Sequence, residues 1–310
     1  MSTYILRRLL QTIPVLWGVA TAVFAMLHLL PGDPVAVMLQ QSGGNAEAMT
    51  RLRHQLGLDL PLWEQYLTFM WNAIRGDFGS SIFQNRPVIR IIGEQIGATA
   101  ELTLTAMAVA ITLGLVFGCL AAVRHDSWVD RLCMLIASVG VAMPVFWLAL
   151  LAIFFFSFTL GWFPATGQGG PQRLILPAVV LGIGSAASIA RLVRSSLLEV
   201  LRQDYVRTAR AKGLGALSVT LKHALRNALI PTVTVIGLQV GSLMGGTVVT
   251  ETIFSRQGLG RLAVDSILTK DFPVVQGTVL LGAIVYILIN LVVDLSYAVI
   301  DPRIRYGSAT

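Results

Sequence analysis

Six apolar runs, each long enough to cross a lipid bilayer, constrain this chain more than any other feature of its sequence. A membrane span needs about 20 apolar residues at 1.5 Å rise per residue, and lipid requires its backbone hydrogen bonds to be satisfied internally, as in a helix. Strands are excluded because the runs are too long and show no alternation of polar and apolar residues. The sequence therefore predicts an all-α polytopic membrane protein with six transmembrane helices, at residues 9–30, 99–123, 132–160, 174–193, 228–250 and 274–300.

The distribution of positive charge predicts the orientation in the membrane. Only 13% of the residues are charged, where soluble domains carry about 25%. Most of the 23 Lys and Arg residues lie in the N-terminus, in the loops 124–131 and 191–227, and in the tail. Since cations stay on the cytoplasmic side, both termini are predicted to be cytoplasmic. The first run is predicted to be an uncleaved anchor, because its apolar core is longer than that of a signal peptide and no small-x-small cleavage site follows Leu30. The excess charge is a topology signal, and no nucleic-acid-binding motif accompanies it.

The predicted domain organisation follows from these spans. Residues 1–30 form the N-terminal segment and first span, 31–98 an extracytoplasmic region, 99–300 the main transmembrane domain, and 301–310 a cytoplasmic tail. Amphipathic helices are predicted in the outer region near 46–56 and 61–75, because apolar residues recur there at helical spacing. Pro144 is predicted to kink the third span.

Several residues within the spans are candidates for packing or for lining a pore. Gly237, Gly241 and Gly245 share one helix face at four-residue spacing, which suits close helix packing within the subunit or at a subunit interface. A glutamine is costly in lipid, so Gln239 is predicted to face either protein or a wet cavity. Glu251 either lines a substrate route or pairs with a nearby arginine, and a structural tie is favoured for Asp294. The pore or gate candidates are Gln239, Met244, Glu251 and Phe254.

Motifs for catalysis are missing from the sequence. There is no G-x-x-x-x-G-K-[ST] phosphate loop, so ATP hydrolysis by this chain alone is not expected. The four histidines are scattered, Cys119 and Cys133 are not spaced as metal ligands, and no serine has a base at matching depth. The chain is therefore predicted to bind no metal or cofactor and not to be an enzyme.

A basic, glycine-punctuated segment separates the fourth and fifth apolar runs. Short helices are predicted at 195–204 and 205–212 from their Leu, Arg and Ala content, with Gly213 as the break and helix resuming over 217–227. Such a segment held at the membrane surface suits insertion into a cleft on a cytoplasmic partner. The alternative is a loop whose cations only set the topology.

The sequence of this segment resembles the EAA loop of ABC importer permeases. RTARAKG at 207–213 and HALRNA at 223–228 match the form found in peptide, glutathione and nickel uptake systems, although Arg207 and Thr208 replace the usual Glu and Ala. Further matches, in order, are YILRRL at 4–9, LPGDP at 30–34, LGLD at 56–59, GDFG at 76–79, GLGR at 258–261 and DPRIR at 301–305. One departure is Arg256-Gln257, where such proteins commonly have Trp-Pro.

The resemblance implies a division of labour between subunits. A second homologous permease would complete the pore, two ABC ATPase subunits would bind ATP and Mg, and an extracytoplasmic binding protein would deliver a peptide or peptide-like solute. Gly213 would be needed for the turn, and Ala209 and Ala211 for close approach to the ATPase. The coupling residues would be Arg207, Thr208, Ala209, Arg210, Ala211, Lys212, Gly213 and Leu214.

Two other functions are alternatives to peptide import. Uptake of nickel or a metal chelate fits the same family, but the spans are not rich in His, Cys or paired Met ligands. A self-sufficient secondary transporter would show inverted repeats and a charge network at the bilayer midplane, and only Asp294 is a candidate for that network. The membrane of a bacterium or archaeon is the expected location.

Overall fold

The computed structural model describes residues 2–29, 54, 59–215 and 218–300, and within them the fold is helical throughout. In these ranges the only β pairing is an isolated bridge between Ser80 and Pro87. The all-α prediction is thus confirmed. The helices are α1 (Ser2–Leu29), α2 (Leu62–Ile74), α3 (Val88–Val123), α4 (Trp128–Ala142), α5 (Val145–Ala152), α6 (Gln172–Leu201), α7 (Asp204–Ala211), α8 (Leu225–Ile253), α9 (Leu259–Thr269) and α10 (Phe272–Ile300), with π-helical segments at Ile153–Thr159 and Val219–Ala224.

Between three and five of these elements meet the length and hydropathy expected of a membrane span. Val88–Val123, Gln172–Leu201 and Phe272–Val293 do so as single helices. Two further spans result if each of two bent helix pairs crosses the membrane as a unit. In α1 the described apolar stretch is the shorter Leu10–Met26. A polytopic membrane protein is confirmed, and the count of six stays a prediction.

The third apolar run is broken where Pro144 was predicted to kink it. Helix α4 ends at Ala142, and Trp128–Ala142 and Val145–Thr159 make an angle of 108°. Met143 and Pro144 both have extended backbone conformations, because the proline ring disfavours helical geometry in the residue before it. Residues 132–160 are therefore two helical pieces rather than one straight span.

The chain forms two compact units. The first contains residues 1–98 and 257–288. Its core joins Val88 and Ile92 of α3 to Leu259 of α9 and Val274 of α10. Near this core the carboxylate of Asp271 accepts hydrogen bonds from the Ser81 hydroxyl and from the backbone N–H of Ile82. Long-range packing and buried hydrogen bonds thus fasten the loop before α3 to the start of α10.

The second unit contains residues 99–256 and 289–310, with α6 at its centre. One face of α6, including Leu181 and Ile189, packs with Leu102 of α3 and Leu243 of α8. Because lipid is as apolar as these side chains, the seam is held by close van der Waals packing between the helices rather than by removal of apolar surface from water. A second apolar cluster, with Leu197 and Val200, holds the C-terminal end of α6, from which α7 follows.

Two predictions of short extramembrane helices have different outcomes. The helix near 61–75 is confirmed as α2, with Pro61 at its N-cap. The prediction of a separate short helix at 195–204 is wrong. Helix α6 continues to Leu201, and a short turn then precedes α7. The helix near 46–56 lies outside the described residues, apart from His54.

Candidate functional site

Helix α7, inside the predicted coupling segment, is a two-turn helix with one buried face. Val206 is fully buried and Ala209 is 8% exposed. Both belong to an apolar cluster with Leu197 and Val200 of α6 and with Ala224. Helix α7 therefore packs on the end of α6 and on the segment that returns towards α8.

A side-chain hydrogen bond and a glycine turn complete the attachment. The Tyr205 hydroxyl accepts a hydrogen bond of 2.7 Å from the Asn227 side chain at the start of α8. Gly213 follows α7 with a φ of +79°, a conformation that side chains with a Cβ disfavour. No atom lies within 4 Å of a Cβ added there. The backbone turn, and not close packing, is therefore what requires glycine at 213.

The exposed surface of α7 and of its C-cap carries three cations. The side chains of Arg207, Arg210 and Lys212 are exposed. Arg207 lies 3.8 Å from the carboxylate of Asp204, and both groups are well exposed, so this pair neutralises the surface only weakly. The remaining coupling candidates Thr208, Ala211, Gly213 and Leu214 are also exposed.

Ala209 alone among the coupling candidates faces inward. Its small side chain fits between α7 and the apolar cluster beneath it. Ala209 therefore packs within the chain, whereas Ala211 is exposed. The sequence pattern could not separate the two alanines, because only the contacts made by Val206 and Ala209 decide which face of α7 is buried.

A half-buried ion pair between α4 and α6 was not predicted from the sequence. Asp130 of α4 has a side chain that is 5% exposed, and Arg194 of α6 donates to both of its oxygens at 2.6 and 2.7 Å. The Nδ1 of His125 lies 3.2 Å from the same carboxylate. This bidentate pair fixes the loop before α4 against α6. The only sequence signal near this pair was the Ser127-x-x-Asp130 spacing, which is typical of a helix N-cap. Ser127 does cap the start of α4.

Among the described residues, His125, Asp126 and Asp130 have ligand atoms close enough to hold a metal ion. The Arg194 guanidinium, however, already takes the place of a cation beside Asp130. The group therefore has the chemistry of an ion-pair network rather than of a metal site.

The end of α8 carries a second group of buried polar side chains. Glu251 is 1% exposed and accepts a hydrogen bond of 2.7 Å from the Thr99 hydroxyl. Arg256, also 1% exposed, donates to the Glu101 carboxylate at 2.9 Å. Arg256 is one of the two residues that depart from the family pattern. Its pairing with Glu101 was not predicted, because the two positions are far apart in the chain.

The remaining pore candidates are buried or half-buried in this conformation. Phe254 packs with Ala149 and Leu176 in an apolar cluster. Gln239 accepts a hydrogen bond of 3.1 Å from the Ser185 hydroxyl of α6, so of the two predicted environments it faces protein. Met244 is half-buried. A role in lining a pore stays a prediction for Gln239, Met244, Glu251 and Phe254.

The three spaced glycines of α8 differ in their surroundings. A Cβ added to Gly237 would overlap the Val293 side chain of α10, so Gly237 packs within the subunit. Gly241 is buried, whereas Gly245 is exposed and has no atom within 4 Å of an added Cβ. The side chain of Asp294 lies outside the described part of the chain.

Several membrane-length helices, with an exposed basic helix packed between two of them, define a polytopic membrane protein. Residues 114–306 match the family described as binding-protein-dependent transport system inner membrane component. Residues 1–103 match the N-terminal region of membrane components of the same systems. The chain belongs to this family of importer permeases, as the resemblance of its motifs implied.

Curated relatives cover essentially the whole chain. The glutathione transport system permease protein GsiC of Escherichia coli (strain K12) is 47% identical over 306 residues, which is 99% of this chain and 100% of that protein. The dipeptide transport system permease protein DppB of Alkalihalophilus pseudofirmus is 44% identical over 334 residues, again 99% of this chain and 100% of that protein.

Solved structures of the same fold exist at lower identity. An inward-facing structure of the MetNI methionine ABC transporter aligns with a TM-score of 0.58 and 22% identity, over 69% of this chain and 97% of that chain. An amino acid ABC transporter aligns with a TM-score of 0.53 and 15% identity, over 68% and 94%. These show that the helices have the ABC permease fold.

Family membership also settles the type of protein. The chain is a multi-pass inner-membrane transport subunit and not an enzyme. Permeases of ABC importers work with an ATPase that hydrolyses ATP and with a substrate-binding protein, so partners of both kinds are implied for this chain. A self-sufficient secondary transporter is excluded on the same ground.

Proposed function

We propose that this chain forms half of the translocation pore of an ATP-driven importer for peptides or peptide-like solutes. The support is the full-length similarity to permeases named for glutathione and dipeptide transport. Both of these solutes are short peptides, so a peptide backbone or a peptide-like amide is the chemistry that a shared pore would pass.

Helix α7 is proposed to be the coupling helix. The observation that carries this proposal is the combination of a buried, packed face at Val206 and Ala209 with an exposed basic face at Arg207, Arg210 and Lys212. A rigid attachment transmits motion to α6 and α8, while the exposed face remains available to a partner. Complementarity of charge predicts that the groove of the ATPase subunit is acidic.

The assembly is proposed to contain a second homologous permease, two ATPase subunits and an extracytoplasmic binding protein. ATP and Mg would bind to the ATPase subunits, with no cofactor held by this chain. Both termini and α7 would be on the cytoplasmic side of a bacterial or archaeal membrane, in agreement with the concentration of Lys and Arg in those segments.

Uptake of a metal or metal chelate is the second candidate function, and the described residues favour it less. In the cluster of His125, Asp126 and Asp130, the Arg194 guanidinium already occupies the place of a cation beside Asp130. Specificity in such systems is also set by the binding protein, so a direct test is required.

The test is purification of the tagged chain from its native membrane in mild detergent, with mass spectrometry of the retained proteins. We expect a second six-span permease and ATPase subunits with phosphate loops. In the reconstituted complex, binding protein loaded with dipeptide or glutathione should stimulate ATP hydrolysis, whereas nickel should not. Stimulation by nickel alone would overturn the peptide proposal, and recovery of the chain without partners would overturn the importer assembly.

A further inference from the structure

Helix α2 presents an apolar surface that no described part of the chain covers. Trp63, Leu67, Trp71 and Ile74 are 63%, 57%, 56% and 76% exposed. Their spacing of four, four and three residues places them in one stripe along the helix. No charged residue interrupts the stripe. Aligned apolar side chains of this size mark an interaction surface rather than ordinary scattered exposure.

The opposite face of α2 is fastened to the C-terminal part of α1. The Tyr66 hydroxyl lies 2.8 Å from the Thr21 hydroxyl, and its ring packs edge-on against Phe24 at 5.3 Å. Gln65 bonds to His28 at 3.1 Å. The exposed stripe therefore points away from α1, and the face that holds α2 in place is distinct from the face left open.

These contacts fix the level of α2 relative to the membrane. The apolar run of α1 continues through Leu29, the last residue of the helix, and Thr21 lies about 12 Å before that end at 1.5 Å per residue. Tyr66 therefore lies beside the apolar run, and Gln65 binds His28 near the end of that run. Amphipathic helices that lie on membranes bury their apolar face in the boundary between head groups and acyl chains. The position of α2 beside the last turns of the apolar run agrees with such a placement.

We propose that α2 is an interfacial helix, with the stripe of Trp63, Leu67, Trp71 and Ile74 inserted into the lipid at the bilayer surface near the C-terminal end of α1. The chemistry of the stripe agrees with this occupant. Tryptophan is enriched at membrane interfaces, where its ring is buried and its N–H meets polar groups.

The side chains along the edge of the stripe fit the same placement. The Arg75 guanidinium lies 4.3 Å from the centre of the Trp71 ring, from which it can reach lipid phosphates. Exposed Thr68 and half-buried Glu64 border the stripe on the same polar side. A lipid surface is favoured over a docked binding protein because the stripe lies at membrane depth and offers no charged group for a soluble partner.

The test compares two neighbouring positions of α2 by spin labelling. Leu67→Cys and Thr68→Cys are each labelled with a nitroxide in a Cys119→Ala, Cys133→Ala background, with cysteine-free partner subunits. The complete importer is reconstituted into vesicles of phosphatidylethanolamine and phosphatidylglycerol. Collisions with oxygen, which concentrates in lipid, are compared with collisions with a water-soluble nickel chelate.

We expect oxygen to dominate at position 67 and the nickel chelate to dominate at position 68, a reversal of the collision ratio between adjacent residues. Nickel dominance at both positions would overturn the proposal, since the stripe would then face water. Protection of position 67 from both reagents would also overturn it, because the stripe would then be covered by protein. Loss of access to both reagents at position 67 only after the binding protein is added would overturn the proposal as well, because the stripe would then be covered by that protein.

Discussion

Two short helices outside the long apolar ones, α7 and α2, bury and expose opposite kinds of side chain. Helix α7 spans eight residues, buries Val206 and Ala209, and exposes cations. Helix α2 spans 13 residues, has no fully buried residue, and exposes an apolar stripe. The comparison teaches that the exposed face of such a helix identifies its neighbour: charge suits a soluble protein groove, and apolar surface at membrane depth suits lipid.

The two helices also differ in how they are attached. An apolar cluster shared with α6 and the segment before α8 supports α7, whereas α2 is held by ring contacts and hydrogen bonds to α1. A densely packed attachment transmits displacement with little loss. The dense packing of α7 suits the coupling role proposed for it, and the sparser contacts of α2 suit its proposed position at the lipid surface.

The largest effect is expected from removing the buried support of α7. Val206→Asp places an unpaired carboxylate in the apolar cluster, which should cost about 4 kcal/mol or more. Helix α7 should detach from α6, and the purified complex should lose its ATPase subunits while the permease still inserts into the membrane. Binding of the ATPase is measured by the amount retained with the tagged permease.

Ser195→Asp is the matched control, since it adds the same charge to an exposed position of α6 that is not a coupling candidate. It should retain most of the ATPase. Equal losses in the two variants would show that α7 is not supported by its buried face, and the contrast with α2 would fail.

A smaller effect is expected from reversing the exposed charges of α7. Replacing Arg207, Arg210 and Lys212 by glutamate should weaken ATPase binding, with each exposed charge contributing about 0.2–1 kcal/mol. The deficit should shrink as salt is raised, because screening removes the repulsion. Arg131→Glu, on an exposed cation of α4, should leave binding unchanged. A deficit that does not depend on salt would contradict an electrostatic contact.

The helices of this chain could be predicted from sequence because their apolar runs are set by local composition. The kink predicted at Pro144 is also confirmed, because proline restricts the backbone of the residue before it and this effect is local. The size of that bend, 108°, depends on packing and had no sequence signal. The end of α6 was misplaced for a related reason: charged residues such as Arg191 and Arg194 signalled a loop, but helix continues through them.

The candidate site was only partly accessible to sequence reasoning. The coupling segment was recognisable from its motif and glycine break, and Gly213 has the positive φ that its position suggested. Pairs formed over long sequence separations were not foreseen, namely Asp130 with Arg194 and Glu101 with Arg256. The inward direction of Ala209 was likewise invisible, because it depends on which neighbours α7 packs against.

The central claim is that α7 and its glycine turn couple ATP hydrolysis to transport, and a matched pair of glycine variants tests it most directly. Gly213 and Gly215 are both exposed, with no atom within 4 Å of an added Cβ, but only Gly213 has a positive φ. Valine at 213 should therefore strain the turn by about 1–3 kcal/mol, whereas valine at 215 should not.

The measurement is ATP hydrolysis by the reconstituted importer with and without its loaded binding protein. Gly213→Val should insert into the membrane normally and lose the stimulation, and Gly215→Val should retain it. Normal stimulation in Gly213→Val would contradict the assignment of α7 as the coupling element.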